Sequence, residues 1–390
     1  MIDPAVLEAD FRRTFGRPPR LVRAPGRINL IGEHTDYNDG FVMPMALDRA
    51  TWVAAAPRHD RVINVRSDHA DGEAHVALGS PPAGRSGHWS DYVAGVAAIL
   101  GRRAHLLGAD ILITSDVPVG AGLSSSAALE VAVGYALLDL SGETIELTSL
   151  ARACQEAEHE YVGTRCGIMD QFIACHGRVG SAMLLDTRTL RHEWLPVPAE
   201  VAVLACNTMV SHQLATAEYN TRRDDCEEGV RILAGRFPQI SALRDVSSRD
   251  LESAPGLLPE RIYRRCRHVV SENARVLDGA EALRSGDVRR FGQLMRASHE
   301  SLRDDYEVSC RELDVMVGVA SSIPGVHGAR MTGGGFGGCI VVVADRAGVD
   351  EVAAGIREGY EAATGLRPDV WISAAGRGVS TWPVSRPEIM

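Results

Sequence analysis

Pro118-Val119-Gly120-Ala121-Gly122-Leu123-Ser124-Ser125-Ser126-Ala127 runs straight into a stretch, 127–140, whose only charges are Glu130 and Asp139. A segment so apolar all round predicts a buried helix. The residues before it, 109–115, read as a strand. A Gly- and Ser-rich turn opening a helix offers unpaired N–H groups and a partial positive charge to an anion. Gly120 and Gly122 let the backbone approach a phosphate closely. Ser124, Ser125 and Ser126 add hydroxyl donors and N-caps. The plainer alternative is a capped helix after a glycine turn, which is common. The full wording, followed by a helix too apolar for the surface, favours a phosphate cradle.

Upstream, Gly26-Arg27-Ile28-Asn29-Leu30-Ile31-Gly32-Glu33-His34-Thr35-Asp36-Tyr37 places an Arg, a Glu, a His and an Asp within ten positions. Gly32 and Gly40 frame the charged run, and flanking segments 20–23 and 42–47 read as strands. A carboxylate can accept from two hydroxyls at once, so Glu33 and Asp36 suit a polyhydroxylated ligand whose stereochemistry must be fixed. A solvated polar loop is the alternative. Downstream, Met331-Thr332-Gly333-Gly334-Gly335-Phe336-Gly337-Gly338 contains the spacing G-x-G-x-x-G. That dinucleotide fingerprint requires a helix after the turn, whereas 338–344 reads as a strand. Transfer of a phosphoryl group to a hydroxyl needs that hydroxyl held in line and its proton taken or shared. An Asp beside an Arg suits this work, and Asp170 and Arg27 are the candidates. Together these features read as a kinase for a small polyhydroxylated molecule.

Composition narrows the choice. A chain of 390 residues exceeds what one core usually holds, so two domains are expected. A net charge of −10 argues against nucleic acid as the main partner. All 41 basic residues are Arg. The absence of Lys excludes a Walker A loop, a protein-kinase strand Lys and a Schiff-base enzyme. Phosphate must be met by Arg, backbone amides and metal. The eight cysteines form no C-x-x-C pair, as in a reducing compartment. Residues 1–16 carry early acids and no apolar run, so no signal peptide is expected, nor is a membrane span. The cytoplasm is the expected location.

Further strands are expected at 51–56, 62–66 and 201–208. Helices are expected at 89–100, 148–162 with Thr148 as N-cap, 218–237, 263–285, 288–305, 310–319 and 349–364. Residues 81–87 read as a loop. A boundary near residue 200 divides the chain into 1–200 and 201–390.

The three glycine-containing phrases, in this order, resemble the galactokinases of the GHMP kinase superfamily. Cys166-Gly167-Ile168-Met169-Asp170-Gln171-Phe172 and Glu218-Tyr219-Asn220-Thr221-Arg222-Arg223 extend the resemblance, which covers about residues 20 to 345. It implies an α/β (α+β) fold of two GHMP kinase domains with mixed sheets and helices and the site in the interdomain cleft. It implies transfer of the ATP γ-phosphate to the anomeric hydroxyl of α-D-galactose, with Asp170 as base and Arg27 as its electrostatic partner. Glu33, His34, Asp36, Gly167 and Tyr219 would contact the sugar. Residues Gly120, Ala121, Gly122, Leu123, Ser124, Ser125, Ser126 and Ala127 would hold ATP, with Trp89 against the adenine. Ser126 and Glu158 would hold Mg²⁺, which needs few protein ligands beside phosphate oxygens. The enzyme is expected to act as a monomer. Two rivals stand beside this reading. One is a kinase for another substrate, such as N-acetylgalactosamine, arabinose or a non-sugar alcohol. The other is a non-catalytic sugar sensor on the same scaffold.

Overall fold

A computed structural model describes residues 2–68, 70–79, 85–211 and 215–383. Of the loop expected at 81–87, residues 81–84 lie outside that description. The strands are β1 (Arg20–Asn29), β2 (Phe41–Val42), β3 (Pro44–Arg58), β4 (Val62–Ser67), β5 (Ala70–Ala77), β6 (Gly108–Ser115), β7 (Ser181–Asp186), β8 (His192–Pro196), β9 (Val201–Ser211), β10 (Val326–Thr332), β11 (Gly337–Asp345), β12 (Asp369–Ser373) and β13 (Ser380–Trp382). The helices are α1 (Pro4–Phe15), α2 (Ser90–Gly101), α3 (Ser125–Ser141), α4 (Leu147–Ala157), α5 (Met169–His176), α6 (Ala215–Arg236), α7 (Ser248–Glu252), α8 (Glu260–Arg284), α9 (Val288–Asp304), α10 (Arg311–Ser322) and α11 (Val349–Thr364).

A six-stranded sheet has the order β13-β1-β3-β6-β4-β5. Side chains on its strands alternate between two faces. Val22, Val53 and Ile111 pack with the helices α2 to α5, while Leu21, Trp52 and Leu112 pack on Phe11 of α1. A four-stranded sheet has the order β10-β11-β9-β12. One face, with Leu204 and Ile340, lies on Met316 of α10 and Ile356 of α11. The other face, with Val203 and Val341, meets Ile28 and Met45 from the first sheet's strands and Met43 from the link between β2 and β3, together with Ala121 and Leu123. This shared cluster joins the two sheets and anchors the 118–124 turn between them. A small sheet, β2-β7-β8, flanks them. Among the described residues, no helix is long and apolar enough to cross a membrane.

Several expectations need correction. Strands 42–47 and 51–56 are largely one, β3, which runs on through Asp48 and Arg49 although its ladder to β1 is irregular there, with Pro25 paired to Ala50 and Arg27 to Ala46. Helix 148–162 is α-helical only to Ala157 and then widens to a π-turn at Glu158–Val162. Its N-cap is Glu146, which accepts from Thr148 N at 2.9 Å and Ser149 N at 2.6 Å. Thr148 instead directs its hydroxyl to His176 Nε2 at 3.2 Å. Ser124 stands at the N-cap position of α3 in left-handed backbone (φ 59°), and its hydroxyl caps nothing.

Candidate active site

A cavity of about 660 Å³ opens where the 118–124 turn, the loop after β1, the start of α5 and the β10–β11 turn meet. The two glycine turns touch backbone to backbone. A Cβ on Gly333 (φ 85°) would sit 2.8 Å from the Gly122 carbonyl oxygen. Only glycine meets both the positive φ and the close approach.

Arg27 reaches the cavity because β1 slips its register against β3 between Pro25 and Arg27. At the slip, the Arg27 N–H donates to Leu123 O at 3.0 Å rather than to the sheet. The guanidinium then grips Asp170 with two bonds, Nε to Oδ1 and Nη2 to Oδ2, each 2.8 Å. Its Nη1 donates to Gly122 O at 2.6 Å. Asp170 lies in the first turn of α5, and its Oδ2 also accepts from the Ser124 hydroxyl at 2.5 Å. That bond is why Ser124 does not cap its helix. Arg27 is 5% exposed. Burial alone would lower its pKa, but Asp170 and then Glu33 offset this and raise it.

Glu158 and Ser126 also line the cavity. Burial first, then the charge of Asp170, pushes the Glu158 carboxyl up to about 7. Its Oε2 accepts from Gln171 Nε2 at 2.8 Å, and the same amide nitrogen donates to Glu130 Oε2 at 3.0 Å. Glu130 is fully buried, and burial followed by Glu158 raises its pKa well above the usual range. A buried carboxyl with no ion-pair partner among the described residues, lining the same cavity as the Ser126 hydroxyl, fits a hard divalent ion. The pair therefore fits Mg²⁺.

On the far side of the cavity, Glu33 Oε1 accepts from Gly333 N at 2.8 Å, Thr332 Oγ1 at 3.0 Å and Arg330 Nη1 at 3.4 Å. Asp36 presses on Gly167, where a Cβ would lie 1.9 Å from Asp36 Oδ2. Burial first, then Asp170 and Glu33, pushes the Asp36 carboxyl up to about 7. His34 is buried with both ring nitrogens engaged, Nδ1 by the Tyr37 hydroxyl at 2.8 Å and Nε2 by Gly334 O at 3.2 Å. Its ring lies 5.4 Å from that of Tyr219.

Of the expected residues, Arg27, Glu33, His34, Asp36, Trp89, Gly120, Gly122, Ser124, Ser125, Ser126, Glu158, Gly167, Asp170 and Tyr219 line this one cavity. Ala121, Leu123 and Ala127 do not; their side chains are buried in the protein interior. The Trp89 indole N–H is buried without a partner among the described residues, so the ring is turned partly inward. Gln171, Arg330 and Thr332 carry hydrogen bonds to the expected residues, Glu130 shares the Gln171 amide with Glu158, and none had a sequence signal as a site residue. Gln171 lies next to Asp170 in the 166–172 phrase and Thr332 in the 331–338 phrase, but neither was marked out there.

Comparison with known proteins places these features in context. A family model described as the galactokinase galactose-binding signature matches residues 9–57, which include Arg27, Glu33, His34 and Asp36. Models for the GHMP kinase N-terminal and C-terminal domains match residues 91–178 and 280–362. A galactokinase of Chloroflexus aurantiacus is 50% identical over 390 residues, 100% of both chains. Human galactokinase is 45% identical over 359 residues, 90% of each chain. The crystal structure of Lactococcus lactis galactokinase complexed with galactose matches with a TM-score of 0.93 at 34% identity, covering 97% of this chain and 99% of that one.

Proposed function

Because this chain belongs to the galactokinase family of GHMP kinases, and so is an ATP-dependent sugar kinase, we propose that it transfers the γ-phosphate of ATP to the anomeric hydroxyl of α-D-galactose. The products are galactose 1-phosphate and ADP. One observation carries the reading: Arg27 and Ser124 hold the Asp170 carboxylate where the phosphate turn and the sugar loop meet.

Asp170 accepts the proton of the attacking hydroxyl. The transition state of phosphoryl transfer is loose, so this proton need move only as the new bond forms. Arg27 aligns Asp170 and sets positive charge beside the oxygens where negative charge develops. Amides of the 120–127 turn, with the N-terminus of α3, bind the nucleotide phosphates. Trp89 borders the adenine pocket. Glu33, His34, Asp36, Gly167 and Tyr219 orient the sugar. Mg²⁺, when bound, neutralises the β- and γ-phosphates, and Ser126 and Glu158 would hold it.

Residues 1–200 and 201–390 form the two domains, supported by the separate six- and four-stranded sheets, with β13 returning to the first. The site is complete within one chain, which supports a monomer. All eight cysteines are free, which supports the cytoplasm.

ADP release from ATP and Mg²⁺ tests the substrate, with galactose, glucose, N-acetylgalactosamine, arabinose, mevalonate and homoserine as acceptors. Turnover with galactose and little with glucose, its C4 epimer, is expected. Turnover with another member sinks the sugar assignment. Galactose binding without any turnover favours the sensor. Asp170→Asn should lower kcat by roughly 10²–10⁴-fold while galactose still binds by calorimetry. Near-normal turnover in that variant refutes the base assignment.

A further inference from the structure

A chain of hydrogen bonds inside the protein ends on His34, and its direction can be worked out. Gly334 O lies 3.2 Å from His34 Nε2, and a carbonyl oxygen only accepts. Nε2 therefore carries a proton. Burial first, then His268 and Arg222, lowers the ring's pKa to about 3, so the imidazole is neutral and has one N–H. Nδ1 must then accept, and the Tyr37 hydroxyl 2.8 Å away must donate. The Tyr37 oxygen is left to accept from the Tyr306 hydroxyl at 2.7 Å. The Tyr306 oxygen accepts in turn from the Cys226 thiol at 3.2 Å. Reversing any of these bonds would turn a lone pair of Nε2 toward the carbonyl.

The chain joins distant parts of the sequence. His34 and Tyr37 come from the loop after β1, Cys226 from α6, Tyr306 from the segment after α9, and Gly334 from the β10–β11 turn. Tyr306 is fully buried, with its ring 4.7 Å from His34 and 4.5 Å from His268. Such packing leaves the hydroxyl little freedom. The Nε2–Gly334 bond sits at the long end of the N–H···O range, so an incoming oxygen can take over the same proton.

We propose that Tyr37 and Tyr306 are positioning residues that fix His34 as a hydrogen-bond donor through Nε2, so that the sugar pocket requires an acceptor oxygen at that point. The proposal rests on His34 facing the sugar, as in the function above. Neither tyrosine need touch the substrate.

Two measurements test it. Long-range ¹H–¹⁵N spectra of the substrate-free enzyme, with His34 assigned by its loss in His34→Ala, should show the Nε2–H tautomer. Tyr37→Phe removes one hydroxyl and keeps the ring. It should give mixed His34 tautomers and raise KM for galactose roughly tenfold, the effect of one ordinary hydrogen bond. Its kcat should stay within about twofold, since the reacting atoms are untouched. Tyr306→Phe should shift both readouts in the same direction by less. In a His34→Ala background, Tyr37→Phe should add nothing, because it acts through that ring. A wild-type Nδ1–H tautomer, or unchanged spectrum and KM in Tyr37→Phe, overturns the relay and leaves the sugar assignment of His34 standing. An additive loss in the His34→Ala background makes the tyrosines merely structural and also overturns it. An unchanged KM in His34→Ala overturns the sugar contact itself, whichever tautomer is seen.

Discussion

Asp36 sits half-buried against Gly167, and burial, then Asp170 and Glu33, pushes its carboxyl from 3.8 to about 7. A carboxyl raised in this way resists ionisation in the folded state. Its ionisation costs stability progressively as pH rises from 3.8 to about 7, and the full cost remains above that. Accepting hydrogen bonds from two sugar hydroxyls, however, needs the ionised form. KM for galactose should therefore rise as pH falls below 7, and Asp36→Asn should raise KM and flatten that dependence. A flat wild-type profile between pH 5.5 and 8, followed by ADP release, would count against this role for Asp36. Gly167→Ala tests the same contact from the other side. Its Cβ would meet Asp36 Oδ2 at 1.9 Å, so the carboxylate must turn away. We expect kcat/KM to fall roughly a hundredfold, the usual consequence of misplacing a binding group by about 1 Å. Types and spacing of Glu33, His34 and Asp36 were legible in the sequence. The pressure of Gly167 on Asp36 was not, since it depends on two loops meeting across 131 positions of chain.

The β10–β11 turn shows how an element acquires meaning from its neighbour. Read alone, Gly333 to Gly338 resembled a dinucleotide motif, and only the strand after it argued otherwise. In the fold the turn lies against Gly122, which explains the glycine at position 333. Gly333→Ala should lose roughly 1–2 kcal/mol to left-handed strain. The added Cβ should also part the two turns and raise KM for ATP. Urea unfolding and an ATP titration check the two effects separately, and a variant unchanged in both would show that the turns need not touch. Long helices with steady periodicity, such as α8, α9 and α11, were legible to within a few residues, because a buried stripe repeats along the chain. Short elements such as β7, β8 and α5 gave no such repeat. The π-turn carrying Glu158 was hidden too, since helix periodicity does not announce a local widening.

Across the whole molecule, Glu33 does more than the sugar contact proposed for it. It ties the loop after β1 to the end of β10 by accepting from Thr332, Gly333 and Arg330. Arg330 is fully buried, so removing its carboxylate partner leaves a charge poorly compensated. Glu33→Ala should lose about 3 kcal/mol of stability by urea unfolding, besides galactose affinity. A variant as stable as wild type would show that Asn29 O and Ser298, which also bond Arg330, suffice for it. Galactose at a hundredfold excess over Kd should stabilise the wild type by about 2.7 kcal/mol and leave an equal concentration of glucose without effect.

Local demands wrote themselves into the sequence of this protein. A phosphate cradle needs glycines and hydroxyls before a buried helix, a sugar pocket needs clustered carboxylates, and both need their residues close together in the chain. The kinase chemistry and most of the cavity lining could be read from them. The grip of Arg27 and Ser124 on Asp170, the Gln171 bridge between two acids, the clamp from Glu33 and the tyrosine chain behind His34 could not. The first two rest on α3, α4 and α5 packing against the first sheet, and the last two on the packing of the two sheets through the cluster of Ile28, Met43, Val203 and Val341. Periodicity reports only whether a residue faces inward, while the partner it meets there depends on the path of the entire chain.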